Sequence, residues 1–447
     1  MSSAFDEPSD RLPANDRAST PLRWLVAPLL FACFFLATQD LRNPLLWRDE
    51  GAVDISAWVG NVADGQAKRQ VGFLALAAVG LLGLVLPSRR GPAPGTPHWI
   101  VLYPLVAIVG WAYASLVWSA EPSLTLKRLV VFTAMWSSIA AVVRHFSMRD
   151  LVFMVGFYGI ASLLVGVYAE LRVQDLTGGL LPWRFAGSMS PNHSGLTATL
   201  LAMAMAHGLS SPDLSSRGRS IRIVVLFAAL LILWMTRSRT SLAIAVLALG
   251  IQTAMTMRPS RTAALAGIGG LVLAGGTFLY HSGLLGPVWE AALMGREESD
   301  VRTLTGRTDI WIRTIELTTA DPARALVGFG YDTFWNAAHA DDVSRRVGFT
   351  ISEGHNAWIE AWVNLGIVGA VAWTLAIVAG GATWLSRGRR EGMRWSPDAA
   401  FAVALCAAAL VQGIAEAAFT HAQFCTFVLF AVCTHAAVRL PRKEELR

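Results

Sequence analysis

The chain has 447 residues, of which 54% are apolar and 15% charged, a balance too oily for a soluble globular chain, where about a quarter of residues carry charge. Its net charge is +6, and its basic residues are scattered through short connections without forming a continuous stripe, which excludes a nucleic-acid binder as well as a soluble enzyme with a large core. The composition is that of a membrane protein.

Twelve apolar stretches read as spans: 24–38, 71–86, 99–118, 129–143, 151–168, 194–210, 223–236, 241–257, 263–280, 366–385, 399–417 and 424–438. Together they carry a single Asp, Glu, Lys or Arg, Glu416, as the cost of charge in hydrocarbon demands. Several are shorter than the ~20 residues that cross a bilayer, so their ends extend into flanking Trp, Ser and Thr. An even number of crossings puts both termini on one side. Lys and Arg in the tails and short loops number 20 on that side against 10 on the other, which makes it the cytoplasmic side. The expected fold is an all-α polytopic membrane protein of about twelve transmembrane helices. A cytoplasmic tail (1–23) leads into helices 1–9 (24–280), a large extracytoplasmic loop (281–356), helices 10–12 (357–438) and a cytoplasmic tail (439–447). The first span follows a polar tail without a small-residue cut site and reads as an uncleaved anchor.

All four cysteines lie in spans, so neither a disulfide framework nor a thiolate metal site is expected. Trp24, Trp99, Trp118, Trp183, Trp234 and Trp384 fall at or near span ends and read as interfacial anchors. Gly267 to Gly276 in the ninth span reads as a close-packing helix face. No GxxxxGK[ST] and no GxGxxG after a strand occurs, so no ATP-driven or nucleotide-sugar-binding domain of those types is expected.

The 281–356 segment is long enough that it should contain short helices. Residues 308–319 read as one, with Ile310, Trp311, Thr314, Ile315 and Thr318 on a semi-apolar stripe lying against the membrane surface. Asp321-Pro322 stops it, and Gly328-Phe329-Gly330-Tyr331 turns the chain before an aromatic run ending at Trp335.

Polar residues outside the spans supply the candidates. His355-Asn356 stands nine residues ahead of Gly366-Ile367-Val368-Gly369; the glycines Gly366 and Gly369 would allow tight helix approach while the His-Asn pair sits at the outer mouth. Arg237 and Arg239 occupy a six-residue outer turn, 236–241, where two cations oppose the positive-inside bias. Arg184 precedes the sixth span and Arg307 begins the loop helix. A guanidinium fork suits phosphate oxygens, so arginines converging at the membrane surface would hold a lipid-linked phosphate or diphosphate. Each one alone fits snorkelling to headgroups equally well. Arg324, Arg345 and Arg346 read as solvated. Glu416 reads either as a functional group partnered by His421 or an outer arginine, or as a structural ion pair. Asp309 is placed to orient Arg307, Asp332 and Glu353 lie near His355, and Glu360 reads as a helix-face residue.

These residues resemble the O-antigen ligase and O-antigen and exopolysaccharide polymerase superfamily, bacterial integral-membrane glycosyltransferases with a large periplasmic loop. The pattern His355-Asn356, nine residues, Gly-x-x-Gly is similar to that family's signature. Ser238-Arg239 resembles its outer-loop arginine, and Gly306-Arg307-Thr308-Asp309-Ile310-Trp311 its large-loop arginine segment. The stretches 118–123 and 187–192 are similar to ones in the exopolysaccharide-polymerase branch. The resemblance spans roughly 99–386 and is strongest at 302–369.

The resemblance implies transfer of a glycan from undecaprenyl diphosphate to an acceptor hydroxyl at the periplasmic face of the bacterial inner membrane. The acceptor is lipid A-core in the ligase branch and another lipid-linked glycan in the polymerase branch. It implies membrane lipids as surroundings, and no cofactor, metal or nucleic acid. On this reading Arg184, Arg237, Arg239 and Arg307 bind the donor diphosphate, and His355 takes the acceptor proton in a single inverting displacement. Asn356, Asp309, Glu416, Gly366 and Gly369 support them. Twelve spans with both ends inside also fit a transporter or lipid-glycan flippase, although no halves visibly repeat. A structural scaffold is the third possibility.

Overall fold

A computed structural model describes residues 20–41, 67–88, 97–173, 184–209, 214–257, 307–348, 351, 353–388 and 395–438. Within them the chain forms α1 (Thr20–Thr38), α2 (Ala67–Val85), α3 (Trp99–Ala114, extended by a 3-10 turn at Ser115–Val117), α4 (Pro122–His145), α5 (Met148–Val173), α6 (Pro191–Ala206) and α7 (Ser216–Met235). These are followed by α8 (Arg239–Thr256), α9 (Arg307–Thr319), α10 (Pro322–Val327), α11 (Ala337–Val347), α12 (Ala357–Arg387), α13 (Pro397–Gly413) and α14 (Phe424–Val438). All regular elements among the described residues are helices, as expected. Seven of them, α2 to α5, α7, α8 and α12, are long and apolar enough to cross a membrane, and α1, α13 and α14 are shorter apolar helices. Eleven of the twelve expected stretches overlap a described helix; the stretch at 263–280, with its glycine-rich run, lies outside the described residues, as does Trp183.

The residue pattern of each helix decides its layer. Helix α14 is apolar all round and buried along nearly its whole length, the pattern of a helix with no lipid face, and it packs against α3, α4 and α12. Helix α7 buries only Ala229 and Leu233, while Ile223, Val224, Phe227, Leu231 and Trp234 lie on its exposed surface. Such an apolar exterior suits hydrocarbon rather than water. Trp24, Trp99 and Trp234 are half exposed, as interfacial anchors should be. Trp384 is instead buried and donates to the Val432 carbonyl of α14 at 3.1 Å, and Trp118 donates to Val327 at 3.1 Å. These two rings fasten elements together instead of floating at a headgroup layer. The four cysteines are buried free thiols.

The part of the large loop that is described forms a small packed unit. Helix α9 buries Ile310, Thr314 and Thr318, one stripe at helical spacing, and Arg313 grips Asp342 of α11 through Nε and Nη2 at 2.8 and 3.1 Å. The stripe therefore faces neighbouring protein helices, while Ile312 and Ile315 are left exposed. Asp321 ends the α9 turn and caps α10, accepting from the Ala323 amide at 2.9 Å. Arg324, expected to be solvated, reaches the Trp118 carbonyl at 2.6 Å and lies over the Phe329 ring.

Candidate active site

The His355 segment is positioned by a break in α12. Gly366 has φ 67° and ψ −172°, so the helix is two helices joined at a non-helical residue. The backbone of the loop presses into that break. A Cβ at Gly366 would overlap the Leu326 carbonyl and stand 2.6 Å from the Val327 nitrogen, and one at Gly328 would overlap Asn364. The amides of Phe329 and Gly330 donate to the carbonyls of Val363 and Asn364, which the break leaves without helical partners, at 2.9 and 3.1 Å, and Trp111 donates to Leu365 at 2.9 Å. The glycine at 366 thus serves loop-to-helix docking, a correction to the expected helix-to-helix approach. Gly369 would meet only Leu365 of its own helix at closest range. Above the break, Glu360 is buried and its carboxylate accepts from Trp335 Nε1 at 2.6 Å, from the Gly354 amide and from Asn364. It is an internal anchor, not a helix-face residue. Asn356 caps α12, accepting from the Trp358 and Ile359 amides at 3.0 Å, and donates to Ile414 at 3.0 Å, which ties α12 to the end of α13.

Glu416 is the hub. Helix α13 ends at Gly413, so Glu416 lies three residues beyond it, outside regular helix. Its Oε1 accepts from Arg307 Nη2 at 2.6 Å and from Asn192 Nδ2 at 2.7 Å, and its Oε2 stands 3.4 Å from His355 Nδ1. Arg307 also donates through Nη1 to the Ala415 carbonyl. Arg184 joins through Asn192, donating to Oδ1 at 3.2 Å, while its Nε donates to the Thr236 carbonyl at 3.0 Å. On the far side, His355 Nδ1 is 3.1 Å from Glu353, whose other oxygen is 3.2 Å from His421 Nε2. His421 Nδ1 is 3.9 Å from Asp332, which pairs with Arg128 of α4 at 3.0 Å. The non-glycine residues with positive φ among those described are Arg237, Asp332 and His355, and the last two are members of this network. Strain of this kind persists only where surrounding contacts over-determine it.

The electrostatics bear on roles. Burial alone would lower the His355 imidazole, but Glu353 and then Glu416 push it up to about 10. Burial is likewise outweighed at His421, which Glu353, Glu360 and Asp332 push up to about 9. Burial would raise Glu353, yet the two imidazoles hold it well below the usual carboxylate range. At neutral pH His355 is therefore an imidazolium between two carboxylates. That favours a cation or hydrogen-bond donor at rest, while both carboxylates engage Nδ1. Glu353, His355 and Glu416 present ligand atoms within 4.8 Å of one another, a spacing that fits a small cation. With Arg307 on Glu416 and His421 on Glu353, their charge is already satisfied by protein cations.

Of the other expected residues, Arg239 is the first residue of α8, and its guanidinium has no hydrogen-bond or ion-pair partner among the described residues. The outer turn is tighter than expected: Thr236, Arg237 and Ser238 alone separate α7 from α8, with Arg237 at φ 51° and Ser238 capping the helix. Asp309 is exposed in the first turn of α9 and does not orient Arg307, which Glu416 and Ala415 hold. Of the two partners expected for Glu416, an outer arginine, Arg307, takes it, and His421 pairs with Glu353 instead. Asn192 and the pairing role of Glu353 were missed as site features; the signal for Asn192 lay in the 187–192 stretch.

Residues 224–374 match the O-antigen ligase family model, a segment that contains Arg237, Arg239, Arg307 and His355. The exopolysaccharide production protein ExoQ of Rhizobium meliloti (strain 1021) is 26% identical over 297 residues, 63% of this chain and 63% of that protein. The chain therefore spans less than two thirds of the length of the curated relative it matches. These two similarities are what tie this membrane protein to the O-antigen ligase and polysaccharide polymerase superfamily, which it resembles over that part of its length.

Proposed function

We propose that the protein is a bacterial inner-membrane glycosyltransferase that moves a glycan from undecaprenyl diphosphate to an acceptor hydroxyl at the periplasmic face, with both termini cytoplasmic. The observation that carries this reading is the convergence on Glu416 of Arg307, His355 and, through Asn192, Arg184, drawn from four separate segments. Arg239 completes the donor side. A cation at the first residue of a helix opposes the positive end of the helix dipole, so an anion bound there relieves both charges. Displacing a diphosphate from an anomeric carbon requires stabilisation of leaving-group charge, and preorganised guanidinium and imidazolium donors supply it. The diphosphate bond stores the driving force, so we assign a single inverting displacement with no nucleotide sugar, ATP or metal ion. Lipid A-core is the acceptor if the chain acts as a ligase. A second reading, in which the acceptor is another lipid-linked repeat, is favoured by the relative's involvement in exopolysaccharide production.

The test is reconstitution of the purified protein with lipid-diphosphate-linked repeats, with lipid A-core or with no second acceptor. Chain lengthening without the core acceptor identifies a polymerase; capping of the core identifies a ligase. Failure of both, or uptake of glycan into vesicles by a fully active His355→Ala variant, overturns the reading.

A further inference from the structure

The transfer proposed above needs a group that takes the acceptor's proton, and the two imidazoles of the charged chain are engaged by carboxylates that favour their charged form. His355 and His421 each stand within 3.2 Å of Glu353. His193, in the first turn of α6, is different. Among the described residues no carboxylate lies within 4.0 Å of its ring, and the one side-chain partner it has is the Ser190 hydroxyl, 2.6 Å from Nδ1. Ser190 Oγ already accepts from the His193 amide as the cap of α6. If that oxygen also accepts Nδ1–H, the tautomer leaves the lone pair on Nε2, the nitrogen without a protein partner.

His193 lines a cavity of about 230 Å³ at the outer ends of α1 and α6 and the start of α14, far larger than the roughly 10–15 Å³ a single water occupies. Its polar lining includes Asp40, Ser188, Ser190 and Gln423. Its apolar wall carries Tyr158 and Phe424, whose rings stack with centroids 3.7 Å apart. Hydroxyl, amide and carboxylate groups beside aromatic rings are the chemistry that binds a sugar through its hydroxyls and its C–H face. The cavity is next to the donor-side network without being part of it. Asn192 turns its amide to Glu416 at 2.7 Å, while the following residue, His193, lines the cavity. Burial holds the His193 imidazole below its ordinary value, which favours the neutral, proton-accepting form; Glu353 and Glu416, within electrostatic reach, partly offset that shift, and the charges of His421 and His355 add to it.

We propose that His193 is the catalytic base for the acceptor and that this cavity is the acceptor sugar's subsite, an inference that rests on the transferase reading. The Nε2 lone pair takes the acceptor O–H proton as that oxygen bonds to the donor's anomeric carbon. The bond from that carbon to the diphosphate oxygen breaks, its electron pair leaves on the diphosphate beside Arg239, and the His193 proton then passes to water.

The experiment uses the full chain in proteoliposomes with undecaprenyl-diphosphate-linked repeats and, in parallel, lipid A-core. His193→Gln keeps a polar side chain without a base and should lower transfer by about 100-fold or more, with binding of a fluorescent polyprenyl diphosphate unchanged. His193→Ala should regain rate in proportion to added imidazole, a response that a purely structural residue would not give. Transfer by His193→Gln within about threefold of the unsubstituted protein, well short of a general base's usual contribution, or a His193→Ala variant indifferent to imidazole, overturns the assignment. If the unsubstituted protein transfers no glycan with either acceptor, the transferase reading itself fails. If it transfers and only the His193 variants behave normally, the failure is confined to this inference.

Discussion

Gly366→Ala tests whether the break in α12 is what seats the His355 segment. At φ 67° and ψ −172° the residue occupies a region essentially reserved for glycine, and an L side chain there costs about 1–3 kcal/mol. The added Cβ also meets backbone rather than a pliable side-chain tip, with the Leu326 carbonyl overlapping it and Val327 N at 2.6 Å, and overpacking of this kind costs about 1–3 kcal/mol more. The total, about 2–6 kcal/mol, is a large fraction of the roughly 5–15 kcal/mol that holds a typical protein folded. Gly348→Ala is the matched control: φ is 82°, but nothing lies within 4 Å of the new Cβ, so the left-handed backbone alone should cost about 1–2 kcal/mol. Gly110→Ala, in a regular helix with open space around it, should be neutral or gain up to about 1 kcal/mol. Thermal unfolding of the three purified variants in detergent, followed by tryptophan fluorescence, should rank them in that order, with Gly366→Ala far below the others and defective in transfer. Equal shifts for Gly366→Ala and Gly348→Ala would show that the loop does not depend on the break, and the reasoning would fail.

Three further outcomes are expected. Glu416→Gln leaves Arg307 and His355 without their shared buried carboxylate, a change that typically costs about 3–5 kcal/mol, and it should move the alkaline limb of activity to lower pH; an unmoved limb would exclude Glu416 as a partner of His355. Because the folded-state imidazoles of His355 and His421 are raised to about 10 and about 9, their stabilisation is full below their ordinary value near 6.5, declines above it, and is gone once pH passes about 10. Glu353 is depressed, so its contribution is present above its ordinary value of 4.5 and is lost as pH falls through its lower folded value. Unfolding midpoints measured from pH 3 to 11 should show both limbs, and Glu353→Gln should flatten them. Arg239→Ala should weaken donor binding and lower transfer by about 100-fold or more, on the scale of losing one charge-stabilising donor, while leaving stability within about 0.5 kcal/mol, as expected for a side chain with no partner among the described residues. A large fall in its unfolding midpoint would mean that Arg239 is structural.

Hydropathy made the helices legible because the cost of charge in hydrocarbon leaves a strong one-dimensional record. The same record could not show where a helix stops: counting apolar neighbours ran a span through Glu416, whereas helix α13 ends three residues earlier. His355-Asn356 and the glycines stood out as a spaced motif, but spacing could not show that Gly366 admits a loop backbone and not a helix. The charge state of His355 was hidden for a related reason. An imidazole's charge is set by what surrounds it, and Glu353, two residues away, and Glu416, 61 residues away, are brought to it only by the strained backbone at 355 and the turn after α13. Trp118 and Arg324 failed similarly; a ring at a span end and a loop arginine have general surface roles until a partner, here Val327 and the Trp118 carbonyl, gives each a specific one.

The order of charges explains how so many ionisable groups can be buried together. From Arg128 the chain runs through Asp332, His421, Glu353, His355 and Glu416 to Arg307, with cation and anion alternating at every step and successive contacts of 3.0, 3.9, 3.2, 3.1, 3.4 and 2.6 Å. Each interior member has an opposite charge on both sides, which offsets a desolvation penalty that an isolated buried pair often fails to recover. Protonation of the two histidines is required for the alternation: were they neutral, Glu353 and Glu416 would lie near each other with no cation between them. Glu360, buried within electrostatic reach of His421, adds a fourth carboxylate to the four cations, so the network balances its own charge, and its Glu416 end is where Asn192 links it to Arg184, beside the turn that leads into Arg239. The self-neutralising network therefore fixes the geometry and leaves Arg239, whose guanidinium has no ion-pair partner among the described residues, as the cation proposed to meet an incoming diphosphate.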